Sequence, residues 1–185
     1  FRGQQKVGNK DVRPHVSIVC NFTKPTRSKP SLLTFNEVTT LFHEFGHALH
    51  GILADGKYES LSGTSVYWDF VELPSQVLEN WVYEKESLDM FARHYETGET
   101  IPQELIKKIK ASANFMEAYQ TVRQVGLARL DMGWHIGKAL EVKDVGTYEQ
   151  ELLKETELMT PVEGTSTSAS FSHIFQGGYS SGYYS

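Results

Sequence analysis

A single cysteine, Cys20, leaves this chain of 185 residues no internal disulfide to form, so its fold must hold without covalent staples, and a reducing, cytoplasmic setting suits it. Cys20 alternates with Val16, Ile18 and Phe22 and reads as a small packed apolar residue rather than a nucleophile. No apolar run approaches the length of a bilayer crossing, and no secretory leader pattern opens the chain, so no membrane association is expected. Basic runs and basic amphipathic helices are also lacking, and the net charge is −5, which argues against a nucleic-acid partner. There is no internal repeat. The length is enough to bury a core, and residues 1–185 are read as one domain.

What is present is His43-Glu44-Phe45-Gly46-His47 inside a strongly helical stretch. Residues four apart share a helix face, so both imidazoles can aim at one ion. Glu44, directly after the first histidine, projects to where a water beside that ion would sit, the position a general base requires. Upstream, Thr34-Phe35-Asn36-Glu37 has the form of a capping box. Leu41, Phe42, Phe45, Ala48, Leu49 and Ile52 follow at helical spacing, and Gly56 is the expected stop, so one helix is predicted from Phe35 to Ala54. A core helix with two unpartnered histidines on or near its apolar face would be costly, which favours the metal-binding reading.

A catalytic zinc ion takes three protein ligands and a water, so a third ligand is needed. The continuation with glycine three and histidine six residues after the second histidine is excluded, because His50 and Leu53 stand there. The other common solution is an acid from a following helix. Glu72, in Asp69-Phe70-Val71-Glu72-Leu73-Pro74-Ser75-Gln76, lies far enough on for the first helix to finish and a second to return to the metal. Glu59 and Asp69 are the alternatives.

Four segments now carry a resemblance: LFHEFGHALHG from Leu41, Ser62-Gly63-Thr64, DFVELPSQ from Asp69, and FSHIFQGGYSSGYYS from Phe171. In this order and spacing they resemble the thimet oligopeptidase and peptidyl-dipeptidase family of zinc metallopeptidases. The resemblance implies His43, His47 and Glu72 as ligands of one Zn2+ per chain and Glu44 as the catalytic glutamate. It also implies His173 and Tyr179 as donors to the substrate carbonyl or oxyanion, with the tyrosines of the glycine-rich segment, Tyr183 and Tyr184 among them, facing substrate. Short peptides are the implied substrates, cut internally or two residues from their C-terminus. It covers only the metal-bearing part of such enzymes, so the chain is expected to be a fragment whose parent carries further N-terminal and C-terminal parts. The family motif continues to a further tyrosine beyond Ser185, which leaves a non-catalytic, zinc-containing peptide-binding fragment as the alternative reading. Asp69 and Glu79 are candidates to orient the ligand imidazoles, and His50 is a candidate for the same role or for packing.

The fold class expected is mainly α, a zincin-like helical catalytic lobe with a small β element beside the active site. His15 to Phe22 alternates like a half-buried strand, and Tyr58 to Tyr67 reads as a second extended segment. An exposed edge near Gly63 and Thr64 could hold an extended peptide by backbone bonds, or be an ordinary surface hairpin. Helices are predicted at about 69–86, 87–96, 102–113, 114–140 and 145–157, with Gly98 and Gly146 at the joins. Residues 164–185 have the composition of a disordered tail, but Phe171, Ile174, Phe175 and the tyrosines are too many large side chains for a solvated linker. That segment is read as a loop closing over the scissile bond.

Overall fold

Helix α1 (Phe35–Ile52) opens on the reciprocal cap written in its sequence. The Thr34 hydroxyl accepts from the Glu37 amide at 3.2 Å, and the Glu37 carboxylate accepts from the Thr34 amide at 2.7 Å. The computed structural model, which describes residues 2–184, gives that carboxylate a second use, because it also accepts from the amide and hydroxyl of Thr23 at 2.6 and 2.7 Å. The Thr34 amide first, then the Thr23 hydroxyl and amide, hold the Glu37 carboxyl at about 2, down from 4.5. A depressed carboxyl stabilises the fold fully above its unfolded value and loses that contribution as pH falls through its folded value. The Glu37→Gln variant should therefore be the less stable protein at neutral pH, with the gap to wild type closing between pH 4.5 and about 2 in denaturant titrations; a gap independent of pH would remove the carboxylate from the cap.

The other end of α1 is closed by Arg13, whose guanidinium donates to the carbonyls of Ala54, at 2.8 Å, and Ile52. The helix therefore stops at Ile52, ahead of Gly56. Arg13 follows an antiparallel hairpin, β1 (Gln5–Val7) and β2 (Lys10–Val12), in which Val7 faces Lys10 across a two-residue turn with Gly8 at φ +60°. Fully buried Gln4 ties the hairpin down, donating to Asp11 at 2.8 Å and accepting from the Gly56 amide at 2.9 Å.

Two extended segments expected from the sequence are not strands. Over residues 17–22 the alternation is real, with Ile18, Cys20 and Phe22 half-buried and Ser17, Val19 and Asn21 exposed, while Val16 is exposed. Only His15 forms a bridge, to Arg2, and among the described residues no strand pairs with the rest. A period of two reports which side chains are covered and not whether a ladder forms; exposed Val16 at the start of the segment is a neighbour of Gly51 of α1. Residues 58–67 form a single 3-10 turn, Glu59–Leu61, and further turns.

The helix expected over 69–86 is three pieces: α2 (Trp68–Val71), α3 (Leu73–Glu79) and a 3-10 turn, Asn80–Tyr83. Pro74 in the first turn of α3 has no amide to continue the ladder from α2, so Glu72 becomes the joint, closing one helix and opening the next. Helix α4 (Lys85–Phe91) ends earlier than expected where residues 92–101 fold back on themselves, the Ile101 amide bonding to the Ala92 carbonyl at 2.9 Å. Helix α5 (Gln103–Ala113) follows.

The chain divides into two compact units, residues 1–112 and 113–185. The buried apolar core of the first includes Ala48, Val82, Leu88 and Ile106. The second is built on α6 (Glu117–His135), α7 (Val145–Leu153) and the short α8 (Thr167–Ser170), with Leu127, Leu130 and Ile174 buried. Helix α6 is shorter than the predicted 114–140 at both ends, starting after Met116 at φ +58° and stopping before Gly137. Glu149 of α7 accepts from the amides of Thr167 and Ser168 at 2.8 and 2.7 Å, and so fixes the start of α8. These bonds pull its carboxyl below the usual range against the opposing cost of its burial. No helix among the described residues is long and apolar enough to cross a membrane.

Candidate metal centre

Everything at this site depends on how closely α3 approaches α1. At Gly46 a Cβ would lie 2.5 Å from Ser75 Cα and 2.6 Å from the Pro74 carbonyl oxygen, so only hydrogen fits between the two backbones. That contact brings the joint residue, Glu72, to the two imidazoles. Its Oε2 lies 3.2 Å from His43 Nε2 and 3.1 Å from His47 Nε2, and the rings stand edge to face with centroids 4.9 Å apart. The three side chains converge as a group that can hold a metal ion. Two ligands about 2.0–2.1 Å from a tetrahedral zinc centre are about 3.3–3.4 Å apart, so small adjustments would seat an ion on this donor set. The three side chains are 20–34% exposed, so the group is partly open to solvent.

Two of the three side chains are oriented from behind. Glu79 Oε1 lies 2.7 Å from His43 Nδ1, which places the ring proton on Nδ1 and turns the Nε2 lone pair to the centre. The Ser75 hydroxyl lies 2.9 Å from Glu72 Oε2 and 2.8 Å from the Glu72 carbonyl, fixing the carboxylate on its own backbone. His47 Nδ1 is buried without a partner among the described residues, and so is His50 Nδ1. The His50 ring packs edge-on to Phe70 at 6.2 Å, and burial first, then His47, hold it below the ordinary imidazole range. Asp69 is exposed on α2 and bonds to neither ligand imidazole, and exposed Glu59 is outside the ligand group.

Half-buried Glu44 and His47 line a cleft of about 300 Å³, together with Gly63 and Thr64 and with residues 14–18 on another wall. Gly63 is at φ +57° and a Cβ on it would stand 3.0 Å from Gly51 Cα, so the loop lies directly on α1. The backbone there is a turn, not the expected strand edge.

The second unit holds the remaining predicted residues. His173 is exposed on the 3-10 turn Ser172–Ile174, and Tyr179 and Tyr183 are half-buried in one ring cluster with it: His173 to Tyr179 6.3 Å, His173 to Tyr183 5.9 Å, and Phe171 to Tyr183 4.7 Å between centroids. Tyr184 is exposed.

Sequence reasoning missed Gly46 and Ser75. Ser75 had a signal in its spacing, three residues after Glu72 on a helical run. Gly46 had none without its packing partner.

The family model described as peptidase family M3 matches residues 2–185. The chain is 40% identical over 176 residues to the dipeptidyl carboxypeptidase of Salmonella typhimurium, covering 94% of this chain and 26% of that protein. It is 43% identical over 178 residues to oligopeptidase A of Escherichia coli, covering 94% of this chain and 26% of that protein. It is also 43% identical over 177 residues to the organellar oligopeptidase A of Arabidopsis thaliana, covering 93% and 22%. The chain thus spans about a quarter of the length of these relatives.

Proposed function

The chain belongs to peptidase family M3, and from that premise we propose that it is the metal-bearing part of a zinc peptidase that hydrolyses short, unstructured peptides. Cleavage is either internal, as an oligopeptidase, or two residues from the C-terminus, as the names of its relatives suggest. One observation carries the reading: a single carboxylate oxygen of Glu72 within 3.2 Å of both ligand nitrogens on α1. His43, His47 and Glu72 hold the ion, with Glu79 and Ser75 keeping two of them oriented. When bound, zinc acidifies a water and polarises the scissile carbonyl. Glu44 takes the proton of the attacking water and passes it to the departing amine. His173 and Tyr179 donate to the oxyanion, and Gly63, Thr64, Tyr183 and Tyr184 contact the peptide.

Tyr67, Trp68, Phe70, Leu73, Val77 and Trp81 are exposed along α2, α3 and the turns beside them. Other parts of the parent enzyme are proposed to cover them. The half-buried Cys20 suits a reducing, cytoplasmic setting. Metal analysis of the full-length parent should give one zinc per chain, and cleavage of a quenched short peptide should stop on chelation and return with zinc. Hydrolysis indifferent to the chelator would overturn the reading.

A further inference from the structure

Asp131 is only 1% exposed, on the last turns of α6, yet both oxygens of its carboxylate are used. Oδ1 accepts from the Ser181 amide at 2.8 Å and Oδ2 from the Tyr183 amide at 2.9 Å. His135 Nδ1 also lies 2.8 Å from Oδ1. A buried carboxylate is costly unless its lone pairs are filled, and here two of the donors are loop amides fifty residues on in the chain. Ser181, the first of these donors, lies in the left-handed region at φ +58°, where a residue with a Cβ is disfavoured, so the anchor holds a conformation the loop would not choose alone. Tyr183, fixed by its amide, is the centre of the ring cluster, with Phe171, His173 and Tyr179 each meeting its ring within 6.0 Å. The Ser180 hydroxyl closes the loop onto the Ile174 carbonyl at 2.5 Å, and the Tyr179 amide bonds to the His173 carbonyl at 3.3 Å.

We propose that Asp131 is the positioning residue of this loop, holding Ser181 and Tyr183 so that His173 and Tyr179 keep the arrangement from which they act. The proposal rests on the role given to those two residues in the proposed function. Ionised aspartate can accept from both amides and an imidazole at once, whereas asparagine offers one acceptor oxygen and turns N–H donors toward the other amide.

The test uses the full-length parent carrying Asp131→Asn, assayed for zinc content, for kcat and KM on a quenched short peptide, and for amide exchange of residues 176–184. Zinc should stay at one per chain and KM within about threefold, while kcat falls about 30- to 100-fold and exchange across the loop accelerates. The Ser181→Val variant makes the same lesion from the exposed side of the loop, leaving the buried carboxylate intact, and should lose kcat similarly even if Asp131→Asn does not fold. Wild-type kcat in Ser181→Val, or in a folded Asp131→Asn, would overturn the anchor alone if His173→Ala and Tyr179→Phe are impaired. Full activity in His173→Ala and Tyr179→Phe would instead remove the loop from the chemistry, and the role of Asp131 with it. A rise in KM with kcat unchanged would also overturn the proposal, since it would mean that the loop only binds.

Discussion

Replacing Glu44 by glutamine in the full-length enzyme is expected to lower peptide hydrolysis by about 10²- to 10⁴-fold and to leave zinc at one per chain. The separation follows from position. The group that could hold the ion is His43, His47 and Glu72, and Glu44 is outside it, one residue after His43 on α1 and on the wall of the cleft. Glutamine keeps the size and the hydrogen-bonding oxygen of that side chain but cannot take a proton from water. If Glu44 is the base, only the proton-transfer step suffers: kcat should collapse and KM should move little. Turnover within tenfold of wild type would assign the proton transfer to another group.

What the sequence revealed of this site was local. The cap of α1 and the pairing of His43 with His47 depend on residues three or four apart, and neighbours at that range are set by helix geometry alone. Glu72 was reachable because zinc coordination demands a third donor. Its position at a helix joint was only half visible, since Pro74 marked an early turn but the break after Val71 was read as continuous helix. The hairpin at β1 and β2 was invisible because its strands are three residues each and largely polar, so no alternation announces them. Residues 15–22 misled in the opposite sense, since alternating burial persists from Ser17 to Phe22 in an extended segment without a ladder. Asp131 and Glu149 are buried by backbone amides contributed by the C-terminal segment, a non-local pairing with no periodic signature.

Gly46→Ala should weaken zinc binding far more than it weakens the fold. In an isolated helix the change would be favourable by about 1 kcal/mol, because alanine is the better helix former. Here the new methyl would meet Ser75 Cα at 2.5 Å and the Pro74 carbonyl oxygen at 2.6 Å, both backbone atoms that no rotamer change can move aside. Restoring ordinary contact requires α3 to retreat from α1 by about 1 Å, at an overpacking cost of about 1–3 kcal/mol, so the net loss of stability is small to moderate. Glu72 begins α3 and travels with it, while His43 and His47 stay on α1. Metal ligation tolerates only about 0.2 Å in ligand distance, so a shift that packing can absorb is several times what coordination can. The expected result is a zinc Kd at least about 100-fold weaker, beyond what loss of a single supporting contact brings, with a Tm lowered by only a few degrees. Gly51→Ala on the same helix is the matched control: its methyl would meet Val16 Cγ2 at 2.9 Å, the end of a side chain, and away from α3. It should leave zinc affinity unchanged. Wild-type zinc affinity in Gly46→Ala would mean that Glu72 reaches the imidazoles without the close contact of α1 and α3.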